Sequence, residues 1–83
     1  MISAKMIIFS SRKYPVKSGY RPLFLINGEY YSGMVFFDGD DIYINEERKV
    51  KIKFLTFNGV LNHGEVIKIF ESPNNEIGIV LVN

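Results

Sequence analysis

No cysteine occurs among the 83 residues, which excludes disulfides, thiolate nucleophiles and cysteine-ligated metals and leaves folding to the hydrophobic core alone. Histidine occurs once, at His63 between Asn62 and Gly64. One histidine without a cysteine argues strongly against a zinc site, so it reads as a turn residue. No apolar run approaches the ~18 residues that a membrane span requires, and Lys5 interrupts Met1–Phe9, which makes that segment a poor signal peptide. The expectation is a cytoplasmic protein with no membrane contact. The phosphate-cradling pattern GxxxxGK[ST] is missing, which argues against nucleotide hydrolysis. Ser11, Ser18 and Ser32 have no candidate base to activate them. Asp38, Asp40 and Asp41 lack the ligand spacing of a calcium loop and read as a solvated turn. The chain is therefore expected to be no enzyme and to need neither metal nor cofactor.

What is present is apolar and aromatic. At 47% hydrophobic and 14% aromatic residues, the chain is expected to form one small globular domain over 1–83. Its organising stretch is Ser18–Gly33, SGYRPLFLINGEYYSG, in which Asn27-Gly28 joins two apolar runs as a β-hairpin turn. Helical periodicity is lacking throughout, whereas period-two alternation recurs. Ile2, Ala4, Met6 and Ile8 form one face of a first strand. The hairpin supplies strands near Arg21–Asn27 and Tyr30–Phe37, and Ile42–Ile44 reads as a further short strand. Val50, Ile52 and Phe54 alternate with Lys49, Lys51 and Lys53, so the lysines are expected outside and the apolar residues inside. Val66–Phe70 and Ile77–Val82 close the chain across Ser72-Pro73-Asn74-Asn75. Six or seven short strands separated by turns predict an all-β fold, a small antiparallel barrel or sandwich.

Charge is unevenly distributed along the chain. Residues 1–28 hold Lys5, Arg12, Lys13, Lys17 and Arg21 and no acid, whereas residues 29–83 hold five basic against nine acidic residues. Two readings follow: an anionic partner near the N-terminal third, or loop charge balanced in space by the acidic turn. The apolar residues Ile7, Phe9, Leu55, Phe57, Phe70 and Val80 fall on the phase opposite the expected core. Such a face suits a protein partner or a second copy of the chain, with Phe9, Phe57 and Phe70 as its anchors. Tyr20, Tyr30 and Tyr31 read as packing residues, with base stacking as the alternative.

Gly19-Tyr20-Arg21-Pro22-Leu23-Phe24, followed by Ser32-Gly33 and the closing Ile77-Gly78-Ile79-Val80-Leu81-Val82, resembles the C-terminal (third) domain of elongation factor Tu. The resemblance runs over nearly the whole chain, from Ala4 to Val82. It implies a closed six-stranded Greek-key barrel in which Gly19, Tyr20, Arg21, Pro22, Phe24 and Gly33 form a structural motif. It also implies a translation-related binding module whose partners are tRNA, a GTPase domain or another protein. Arg12 and Ser32 match contacts that the family makes to the T stem. With Lys13 and Lys17 of the same basic loop they form the expected RNA-binding set. The sequence departs from the family pattern at Leu23, Asn58 and Pro73-Asn74-Asn75. The alternative is a divergent barrel used for protein interaction or homo-oligomerisation, without an RNA role.

Overall fold

The computed structural model describes residues 1–9 and 14–83; Arg12 and Lys13, with Ser10 and Ser11, lie outside the described residues. Among the described residues six strands form: β1 (Ile2–Ile8), β2 (Leu23–Ile26), β3 (Glu29–Phe36), β4 (Glu47–Phe54), β5 (Val66–Ser72) and β6 (Asn75–Val82). They close into an antiparallel barrel in the order β1-β4-β3-β2-β5-β6. The β2–β3–β4 meander has β1 returning beside β4 and β5 beside β2, which is Greek-key connectivity.

Local chemistry explains where the strands begin and turn. Asn27 and Gly28 both take positive φ, 51° and 81°, as a two-residue type I′ hairpin turn demands, and Ile26 pairs with Glu29 across it. The β5–β6 connection instead places Pro73 before Asn74, whose φ is 69°, the residue pattern of a type II turn. That turn matches strand twist poorly, and the β5–β6 ladder slips between Ile69 and Phe70 and again before Ser72. β2 starts at Leu23 rather than Arg21, because Pro22 has no N–H to give a ladder. Tyr20 reaches β3 only through a single bridge to Val35. Ile42–Ile44, expected as a strand, contributes one bridge, Val16 to Ile42.

Alternation sets the core. Val50 and Ile52 are buried, Phe54 packs half-buried against the same cluster, and Lys49, Lys51 and Lys53 are exposed. Ala4, Met6, Ile8, Phe24, Val35, Ile69 and Val80 are each at most 1% exposed, which makes the barrel interior continuous. One end of it is sealed by Val16 and Ile42, which exchange two backbone hydrogen bonds of 2.8 Å. Beyond the end of β4, Phe54, Phe57, Tyr31 and Leu61 pack against the core and seal the other end.

Two residues of the expected outward apolar face are corrected. Val80 is buried opposite Met6 and Ile67, so the phase of β6 is the reverse of the expected one. Phe70 does lie on the outer phase, opposite Leu23, yet it is only 6% exposed. The ring of Tyr30 covers it edge-on at 5.1 Å. Phe57 folds back toward the core, whereas Phe9 and Leu55 remain exposed.

Candidate nucleic-acid interface

The Gly-Tyr-Arg-Pro-Leu-Phe segment acts locally as a brace. Gly19 has φ 94° and donates to the Val35 carbonyl at 2.7 Å, and Val35 N–H donates back to the Tyr20 carbonyl at 2.8 Å. Pro22 and Phe24 are buried. The Phe24 ring lies over Gly33, where an added Cβ would stand 2.8 Å from Phe24 Cε1. The bare glycine on β3 thus makes the space that the aromatic on β2 fills, a packing reason for the two to occur together. Arg21, in contrast, is exposed, and among the described residues its side chain has no ion-pair or hydrogen-bond partner. The three tyrosines are engaged by neighbours: Tyr20 Oη donates to Glu71 at 2.7 Å and Tyr31 Oη donates to Glu29 at 2.8 Å. Tyr30 Oη accepts from Asn74 N–H at 3.3 Å. The Glu29 carboxylate, with burial second, holds the Tyr31 phenol above its ordinary pKa.

Of the expected RNA-binding set, Lys17 and Ser32 can be placed. Lys17 Nζ reaches Asp41 Oδ2 at 2.9 Å, and that hydrogen bond and charge raise its pKa. Ser32 gives its backbone N–H to Thr56 Oγ1 at 2.9 Å, with the two hydroxyls 3.5 Å apart. Asp41 precedes β4 and Thr56 follows it, so Lys17 and Ser32 sit toward opposite ends of that strand and do not form one cluster. The acidic turn is itself occupied. Arg48 Nη1 donates to the carbonyls of Asp38 and Asp40 at 3.1 and 2.9 Å, and its Nε and Nη2 both grip Glu46 Oε2. The guanidinium also lies 5.6 Å from the Phe37 ring centroid. Arg48, then the Tyr43 N–H, holds the Glu46 carboxyl below its usual range.

Besides Arg21, a row of positive charge without an ion-pair partner among the described residues lies on the outer face of β4. Lys49, Lys51 and Lys53 project outward at alternate positions and make no ion pair among the described residues. Across β1, Lys49 faces Lys5, a like-charge cross-strand pair that is unfavourable by itself. Among the described residues Lys5 makes a long contact to Glu47, 3.8 Å. Lys51 stands between Ser3 on β1 and Phe36 on β3, and Lys53 stands opposite Met34. An open groove of about 500 Å³ crosses this face beside the short Ser3 side chain. Its lining includes Ser3, Phe36, Phe37, Lys49, Lys51 and Asn83. Sequence reasoning placed these lysines outside but did not assign them a site. The available signal was three outward lysines in succession with no acid between them.

A second exposed group is apolar. Asn45 N–H donates to the Ile8 carbonyl at 2.6 Å, which brings the 43–45 turn against the end of β1. Phe9, Tyr43 and Ile44, exposed by 46, 62 and 41%, share that end of the barrel. No helix long and apolar enough to cross a membrane occurs among the described residues. The chain matches no known protein family and no curated protein at a significant level.

Proposed function

We propose that the chain is a non-catalytic cytoplasmic binding module of translation, contacting RNA such as tRNA through the outer face of β4. The single observation that carries this reading is the row Lys49, Lys51 and Lys53, unpaired among the described residues, with Lys5 beside it across β1. Alternate residues of a strand are about 6.6 Å apart, so three ammonium groups can follow a phosphate backbone. Arg12, Lys13, Lys17 and Ser32 are secondary contacts in this reading, and the elongation-factor-like motif supplies the brace that holds the barrel. Phosphate contacts release counterions, so affinity for tRNA falls as salt rises, with a log–log slope of roughly −2 to −3 for three lysines. Fluorescence anisotropy with labelled tRNA at a series of salt concentrations tests it. The triple change of Lys49, Lys51 and Lys53 to Ala removes most of the slope and the binding. A triple variant with unaltered affinity and slope refutes the site.

A second reading is favoured by Phe9, Tyr43 and Ile44, which expose apolar area at one end of the barrel. In it the chain docks a GTPase domain, another protein or a second copy through that end. Light scattering separates the two: a concentration-dependent mass that Phe9→Ser together with Ile44→Ser abolishes supports the apolar contact.

A further inference from the structure

We infer that the groove crossing β1, β4 and β3 takes an unpaired base, so that the β4 face prefers single-stranded RNA to a duplex. The inference rests on the RNA-binding reading and goes further, naming the form of the RNA. Two kinds of chemistry meet here within a few ångströms of sheet. Lys49 and Lys51 line the groove with one acid, Asp38, and Lys53 continues the lysine row, a net positive pattern for successive phosphates. Opposite Lys51 on β3 stands the half-buried Phe36, with Phe37, Ser3 and Asn83 on the same lining. An aromatic surface with hydroxyl and amide groups at its edge suits a nucleobase, which offers a π-face for stacking and polar atoms at its rim.

A duplex cannot use this groove. Its bases are stacked on one another and its backbone meets a protein as a rigid outer surface, so only the lysines would engage it. A single strand can lay phosphates along Lys49, Lys51 and Lys53 and turn one base down beside Lys51, against Phe36. Strand geometry supports this reach. Ser3, Lys51 and Phe36 are direct cross-strand neighbours, with Cβ atoms about 5 Å apart at each step.

The experiment compares two labelled RNAs of equal phosphate number at low salt, an oligouridylate single strand and a closed hairpin duplex. The single strand is expected to bind at least tenfold more tightly. Ser3→Phe, which fills the groove from an exposed position, and Phe36→Leu, which removes the ring at similar volume, should each cost the single strand about fivefold or more. Both should leave duplex affinity unchanged. A retained melting transition establishes that each variant is folded, and if Phe36→Leu fails that check, Ser3→Phe alone decides. Equal or tighter duplex binding, or no effect of a folded groove variant, overturns the inference while the RNA-binding reading stands. Failure of both RNAs to bind overturns that reading itself.

Discussion

The barrel is closed at its two ends by different physics. Near the start of β4 the seal is a polar clamp: Arg48 ties Glu46 and two carbonyls of the 38–41 turn, and Val16 and Ile42 lie beneath with paired backbones. Beyond the end of β4 the seal is aromatic, where Phe54 meets Phe24 at 5.0 Å and Phe57 at 5.3 Å, and Phe57 meets Tyr31 at 5.0 Å. The polar end depends on directional bonds from one guanidinium and responds to pH. The aromatic end depends chiefly on buried area and edge-to-face contacts. The two ends should therefore fail in different ways.

The largest effect is expected at the aromatic end. Phe54→Ala removes the ring that joins Phe24 to Phe57 and should cost about 3–5 kcal/mol, a large share of what a small domain holds. Thermal unfolding should show a Tm at least about 12 °C lower, and an unchanged Tm would mean that the aromatic seal contributes nothing. Next comes Gly33→Ala, whose Cβ would stand 2.8 Å from the Phe24 ring and 3.2 Å from the Lys53 carbonyl. Overpacking of this kind should cost about 1–3 kcal/mol, and pairing it with Phe24→Leu should recover part of the loss in urea denaturation.

At the polar end Arg48→Ala should cost about 1–2 kcal/mol, because it leaves the carbonyls of Asp38 and Asp40 to water and uncovers Phe37. Hydrogen exchange should rise in the 38–46 turn and not at Phe57. Protection lost equally at both ends would show that they are one cooperative unit. The smallest effect concerns acid. Because Arg48 and the Tyr43 N–H depress the pKa of Glu46, its contribution is present above the ordinary value of 4.5 and is lost as pH falls through the lower folded value. Glu46→Gln should thus flatten the fall of the urea midpoint between pH 5 and pH 3, and an acid limb as steep as the parent's would rule the clamp out as its source.

Much of this architecture was legible in the residues. The Val50-Ile52-Phe54 alternation fixed the phase of β4, and Asn27-Gly28 located the hairpin turn, because both signals are local. Phe70 was not legible, since its burial depends on Tyr30 of another hairpin and on a ladder slip set by the Pro73-Asn74 turn. Val80 failed for a different reason: Ile77–Val82 is apolar at every position but Gly78, so no period distinguishes in from out. Segment charge does not by itself locate unpaired cations. In residues 1–28 Lys17 is matched by Asp41 and Lys5 lies near Glu47, whereas Arg21 has no partner among the described residues and Arg12 and Lys13 lie outside them. The nominally acidic remainder holds the unpaired lysines of β4, because four of its five cations, Arg48, Lys49, Lys51 and Lys53, fall on that one strand.

The position of β1 has a consequence for how the molecule comes to exist in time. Ile7 finds Glu47 and Ile8 finds Gly78, so both ladders of this strand join distant parts of the chain. A nascent chain emerging from its N-terminus must carry Met6 and Ile8 unsheltered until β4 appears, and the ring cannot shut until β6 follows. Loop entropy is lost before those pairings form, which favours slow, late closure. Until then an open sheet would present β1 as a free edge next to apolar side chains, the kind of surface on which chains pair wrongly. The β2–β3 hairpin, with its two-residue turn, can form first and alone. Assembly would thus run outward from Asn27-Gly28 and finish at the strand that was made first.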